Sequence, residues 1–385
     1  MRDPVIFLIS GAVTAVIGLG VNSMRNWYFS DARRFAAAAC KAKISPQILQ
    51  LGALPYVARA QVDAELGAFV KYPSTFINVV VGPRGVGKTT AVAHALEQTD
   101  GVLVFSVTGA HTLDTGIYAV LVDGTIGRTP SSSAALSQNQ MVDYLAGAAS
   151  RYRTRHPHAT DWKPTIVFEV ETKAQPATVG LAVQTMKNLV CDRAACYGFI
   201  VLGDAHAVYA MGSDTDRHRY VWLDDFTSAE ADIYLDELGA LTAADERELR
   251  PELYARASAR AIGLSKLADE LKLSAGKPAR DVVRAFIDMQ QKAGVMRVEN
   301  LVKVAVDAAE VKFGKAGLHF IRLMKAMLKN GGSLPVTDAK YMCSEVGISD
   351  VLKLPKHHAI SINTQTGVFT FYTPADRAAA EQNRV

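Results

Sequence analysis

Short runs of consecutive apolar and β-branched residues alternate with stretches of helical periodicity through the middle of the chain. The runs Thr75–Val81, Val102–Val107, Thr165–Phe168, Gly198–Leu202 and Tyr220–Leu223 lack the in-out alternation of a strand with one wet face. That pattern belongs to strands buried on both sides in a parallel sheet. Between them, apolar positions spaced by three and four predict helices over residues 89–98, 112–122 and 140–153, and another before Gly198. Residues 124–140 are rich in Ser, Gly and Thr and predict a loop. Strands alternating with helices imply an α/β fold, a parallel sheet flanked by helices on both faces.

The pattern changes after residue 226. Thr227-Ser228-Ala229-Glu230 has the spacing of a capping box, in which hydroxyl and carboxylate each take the other residue's amide, and it opens a helix through Leu238. Helices fill residues 243–328. The segment from Ala359 to Tyr372 reads as a hairpin following helices, the helix-then-wing order of a winged-helix-like α+β domain. Residues 30–74, with a break at Pro55, predict a helical lead-in in which Val62, Leu66 and Phe69 recur at helical spacing.

The N-terminus departs from this globular pattern. From Pro4 to Met24 there is no charged residue, a length sufficient for a helix to cross the hydrocarbon layer. Arg25, the aromatic group Trp27-Tyr28-Phe29 and then Arg33, Arg34, Lys41 and Lys43 follow. Residues 1–29 are thus expected to form a single-pass transmembrane anchor, with the positive flank placing the body on the cytoplasmic or matrix side. A cleaved targeting segment and a buried helix of a soluble fold are the alternatives; Gly11, Gly18 and Gly20 dilute the hydrophobicity in their favour.

Composition narrows the field only slightly. The chain has 385 residues, 49% hydrophobic and 21% charged, enough for two or three domains. A net charge of +4 with no long basic block gives nucleic acid little electrostatic footprint, although Lys312, Lys315, Arg322, Lys325 and Lys329 supply some charge near the C-terminal domain. Cys40, Cys191, Cys196 and Cys343 lack paired zinc-ligand spacing and read as reduced thiols.

The chemistry concentrates in one loop. Gly82-Pro83-Arg84-Gly85-Val86-Gly87-Lys88-Thr89-Thr90 follows a predicted strand and opens a predicted helix, the context that makes a Walker A P-loop specific. Its glycines free successive amides to point at phosphate oxygens, and the helix start adds its positive end. Lys88 is expected to reach the β- and γ-phosphates of ATP, and the Thr89 hydroxyl to ligate Mg²⁺. The acidic partner is sought at the end of another strand, in Pro164–Glu171. There Glu169 takes the metal position, and Glu171, two residues on, is a candidate for activating water. Asp204, after the strand Phe199–Leu202, is a third candidate near the γ-phosphate. Arg193, Arg217 and Arg219 read as surface residues.

The order of these parts resembles the AAA+-related signalling ATPases of the STAND class and the similar archaeal-type ATPase domains. The resemblance is carried by Thr75–Thr90, the acidic strand, the strand Phe199–Asp204 and the phrase Tyr220–Ala231. It implies a nucleotide core over residues 75–226, a helical lid over 227–316 and a winged helix over 317–385. It further implies an ATP-hydrolysing switch or machine that self-associates or acts on a protein client. Two features depart from the family. The acidic strand reads Glu-Val-Glu in place of Asp-Glu, and Ala261-Ile262-Gly263-Leu264 stands where a Gly-Asn-Pro type turn is usual. A binding scaffold with little turnover, on a membrane or on nucleic acid, is the competing expectation.

Overall fold

The computed structural model describes residues 31–44, 55–107, 116–127, 136–171, 174, 176–203, 217–311, 314–343, 360–363, 368–371 and 373–382. The N-terminal apolar span and Asp204 lie outside them. Among the described residues no helix is long and apolar enough to cross a membrane.

Five strands, β1 (Ile77–Gly82), β2 (Val102–Val107), β3 (Thr165–Val170), β4 (Tyr197–Gly203) and β5 (His218–Trp222), form one sheet in the order β2-β3-β4-β1-β5. Every pairing is parallel. Each predicted apolar run is one of these strands. Alternation along β1 explains why a continuous hydrophobic run was needed: Ile77, Val79 and Val81 join one core and Val80 joins another. The first core is closed by α1 (residues 31–39) and by the helices α4 (Ile117–Thr125), α5 (Gln138–Arg155) and α6 (Pro176–Met186), through Phe35, Leu121, Leu145 and Val179. The second is closed by α2 (Ala60–Lys71) and α3 (Lys88–Leu96), through Leu66, Val92 and Leu96. Parallel strands with both faces covered in this way, and a glycine loop leaving β1 for α3, are a P-loop NTPase fold.

Both ends of the expected 124–140 loop differ from the sequence expectation. Helix α4 runs to Thr125, and α5 begins at Gln138. The Ser-rich composition that suggested loop up to residue 140 ends in a capping box: the Gln140 amide donates to Ser137 Oγ (3.3 Å) and the Ser137 amide to Gln140 Oε1 (2.8 Å). The predicted box at Thr227 is present, with Glu230 N donating to Thr227 Oγ1 at 3.3 Å and Thr227 N to Glu230 Oε2 at 2.8 Å.

That box opens α7 (Ser228–Glu237), followed by α8 (Ala244–Arg247), α9 (Arg250–Arg256) and α10 (Ala261–Leu273). Their apolar faces meet around Tyr234, Leu253, Leu264 and Leu267. The Arg250 guanidinium, almost fully buried, ties this cluster by donating to Asp236 Oδ1 at 2.6 Å and to the Leu241 carbonyl at 2.9 Å. Then comes α11 (Ala279–Val311), a single helix of 33 residues. Its first half packs Val283 and Phe286 into the α7–α10 cluster, and its second half packs Val298 into a C-terminal cluster. The latter unites α12 (Gly314–Lys329), α13 (Val336–Met342), α14 (Pro374–Gln382) and an antiparallel sheet of β6 (Ser333–Pro335), β8 (Val368–Phe371) and β7 (Ile360–Asn363).

Candidate nucleotide site

The glycine loop is fixed by close approach. A Cβ on Gly82 would lie 2.1 Å from the Leu223 carbonyl oxygen, and the Leu223 amide donates to the Val81 carbonyl at 2.8 Å. Only glycine lets the strand end turn here against the segment after β5. Gly87 caps α3 in the left-handed region, at φ 94° and ψ 20°, and supplies no side-chain acceptor. The first amides of α3 therefore face the loop's interior without a protein side-chain cap, which is the arrangement that binds anions at helix starts.

Lys88 lies across this loop. Its Nζ donates to the carbonyls of Gly82 (2.8 Å) and Pro83 (2.7 Å). The next residue reaches across the sheet: Thr89 Oγ1 donates to Glu169 Oε1 at 2.8 Å. Since β4 lies between β1 and β3, this bond spans two strand positions along the carboxyl edge of the sheet. Glu169 is half-buried, while Glu171 is exposed one residue beyond the end of β3, its amide donating to the Val107 carbonyl at 3.3 Å. The structure thus joins Thr89 to Glu169 and leaves Glu171 at the rim. The intervening Val170 is buried, so no second carboxylate adjoins Glu169 in the chain.

A cavity of about 300 Å³ opens beside the loop, lined by residues 85–91, by Tyr56, Val57 and Arg59, and by Ile262, Ser265, Lys266 and Asp269 of α10. Sequence reasoning identified the first group only. Tyr56 stacks on His94 of α3, with centroids 4.0 Å apart. Its hydroxyl donates to Asp63, and burial followed by that bond pushes the phenol well above its ordinary range. Arg59 donates through Nη1 to the Asp224 carbonyl (2.9 Å) and covers the Phe226 ring at 4.3 Å. Burial lowers its pKa, and its Nη2 has no partner among the described residues.

Helix α10 is held to the loop itself. The Ile262 amide donates to the Gly85 carbonyl at 3.1 Å, so the loop caps a helix that has no side-chain cap of its own. A Cβ on Gly85 would collide with the Ile262 side chain at 2.2 Å. Behind this contact Arg260 grips Asp225 with Nε to Oδ1 at 2.6 Å and Nη2 to Oδ2 at 3.2 Å. The three arginines noted in the sequence lie elsewhere: Arg193 donates to Asn139, Arg217 pairs with Asp192, and Arg219 covers the rings of Phe69 and Phe76.

Among the described residues no cluster of three or more His, Cys, Asp or Glu side chains forms a metal cage. One hydroxyl and one carboxylate beside an anion-binding loop suit a small hard cation that keeps water and phosphate oxygens as its other ligands.

No family model matches the chain, and the search of curated proteins found no match. Solved structures are similar at low identity. A DNA replication initiation factor shares 13% identity at a TM-score of 0.35, covering 84% of this chain and 87% of its own. The replication initiator DnaA, bound to AMPPCP and single-stranded DNA, shares 12% at 0.35 over 81% and 91%. A katanin structure concerned with self-assembly shares 11% at 0.34 over 58% and 72%.

Proposed function

We propose that the chain is a Mg-ATP-dependent ATPase switch of the AAA+/STAND type. The observation that carries this reading is the bond from Thr89 to Glu169, made between the start of α3 and the end of β3 at 2.8 Å. In a P-loop site that hydroxyl and a carboxylate at that strand end converge on one cation. The amides of residues 85–89 and the Lys88 ammonium would hold the β- and γ-phosphates. Thr89 and Glu169 would hold Mg²⁺, which supplies charge neutralisation at the phosphate oxygens. Tyr56, Val57 and Arg59, which line the cavity beside the loop, would receive the nucleoside. In hydrolysis, water attacks the γ-phosphorus, the bond to the bridging oxygen breaks, and ADP and phosphate leave. Glu171 would take the water's proton.

The contact of Ile262 with Gly85 makes α10 the element that feels the state of the loop. Residues 227–316 would act as lid and residues 317–385 as winged helix; the short strand β6 and the β7–β8 hairpin after α12 support a winged-helix part, although α12 (Gly314–Lys329) itself crosses the boundary. Self-association, a protein client or nucleic acid would then be engaged by the moving part. The uncharged N-terminal span would tether the body to a membrane on its cytoplasmic or matrix side.

A slow or non-hydrolysing scaffold is the second reading. It is favoured by Glu171 lying outside the strand and by Val170 occupying the place next to Glu169. Steady-state phosphate release, with and without single- or double-stranded DNA, separates the two. Turnover abolished by Lys88→Ala supports the ATPase, and tight ATP binding with no turnover under any condition supports the scaffold. For the tether, carbonate extraction of the full chain should leave it in the membrane pellet. Release into the soluble fraction would rule the tether out.

A further inference from the structure

A second cavity, of about 300 Å³, lies where the glycine loop, α10, α11 and the residue before α14 meet. Ile262 and Lys266 line both this cavity and the one beside the loop. Residues 85–91 line only the first, while Arg84, Phe286 and Arg297 line only the second. A ligand cradled by residues 85–91 does not thereby fill the second.

The charges in its wall are all of one sign. Arg84, Arg260, Lys266 and Arg297 line it, and among the described residues no Asp or Glu does. The carboxylates that hold two of these cations are outside the lining. Asp225 grips Arg260 through Nε and Nη2, and the buried Asp376 accepts from Arg297 Nε at 2.7 Å. The Arg297 bond uses the nitrogen nearest the chain. Its two terminal nitrogens donate to nothing among the described residues, and the side chain is 29% exposed. The free edge of that guanidinium is therefore open to a ligand. Lys266 is exposed and makes no ion pair among the described residues.

This lining describes what it would take. A cleft with charges of a single sign concentrates counter-ions. The four cations are carried on the loop, the residue capping α10, the second turn of α10 and the middle of α11. A planar carboxylate, with two oxygens, can meet only part of such a set. A phosphate group carries a charge of about −1.5 to −2 at pH 7 and offers three acceptor oxygens. The forked donors of arginine match its geometry. We infer that this cavity is a second anion site, for the phosphate dianion, either free or as the end of a small phosphomonoester.

The test is calorimetric titration of inorganic phosphate and of glycerol 3-phosphate into the full chain, in about 150 mM salt so that loose surface attraction is screened. One series has the glycine loop filled by saturating Mg-AMPPCP, and a second uses Lys88→Ala without nucleotide. At least one of the two compounds should bind in both series with a dissociation constant below about 1 mM. Tighter binding of glycerol 3-phosphate assigns the site to a phosphomonoester, and tighter binding of inorganic phosphate to the free ion. The double variant Arg84→Gln/Lys266→Gln changes two exposed side chains and should keep the parent's thermal midpoint. Its affinity for the better compound should fall at least about tenfold. Parental affinity in that variant overturns the inference. So does loss of binding when Mg-AMPPCP is present, or no binding of either compound up to about 10 mM. Failure of AMPPCP itself to bind would count against the reading of the glycine loop, and the Lys88→Ala series would then decide this one alone.

Discussion

Adjacent strands β1 and β5 each lead into a helix, and the two helices begin in opposite ways. At α7 the chain closes its own helix end, with Thr227 and Glu230 satisfying each other's amides. At α3 the capping residue is Gly87, which has nothing to close the end with and holds a backbone angle that other residues adopt at a cost. The start of α7 is sealed by its neighbours in sequence. A helix start left with its amides and its dipole facing a cavity is sealed by something that arrives.

The strongest way to break this contrast is to give α3 the kind of cap that α7 has. Gly87→Asp places a carboxylate where phosphate would sit. A repulsion of about 4 kcal/mol at 4 Å and an effective dielectric near 20 should weaken triphosphate binding by about a thousandfold in calorimetry. Lys88→Ala leaves the helix end open and removes only the ammonium. Affinity should fall about 100-fold, ~2.7 kcal/mol, with the thermal midpoint unchanged. Unaltered ATP affinity in that variant would refute the phosphate assignment.

Glu169→Gln sharpens the comparison differently. Thr89 can still donate to an amide oxygen, so nucleotide should bind, while loss of the charge should cut phosphate release at least about tenfold. If Glu171→Gln does more damage than Glu169→Gln, the proton acceptor is the rim residue. Parental turnover in both variants would mean that neither carboxylate works in hydrolysis. The smallest effect is expected at the sealed helix. Thr227→Ala should cost about 1 kcal/mol of stability in denaturant unfolding and change ATP affinity by less than about twofold.

Much of the fold was legible because its strands are buried on both faces, which leaves continuous runs such as Val79-Val80-Val81 with no polar residue to obscure them. The loop was legible because its parts are contiguous. The rest of the site was not. Tyr56, Arg59 and Lys266 reach the cavity only after α2 and α10 have packed on the loop, and no spacing in the sequence records that meeting. The capping box at Ser137 escaped notice for a different reason: Ser and Gln there read as loop composition until the helix behind them fixes their roles.

The long helix α11 has a mechanical consequence. At about 1.5 Å per residue its 33 residues span about 50 Å. One end is embedded in the cluster that touches the glycine loop through α10, and the other is the spine of the C-terminal cluster. At Gly294 the rod passes so close to Ala375 that a Cβ would lie 2.9 Å from its backbone, which makes α14 ride on it. A tilt of about 5° at the loop end therefore sweeps the far end through about 4 Å, by the length of the lever alone. An event the size of one phosphate would be felt there as a stroke.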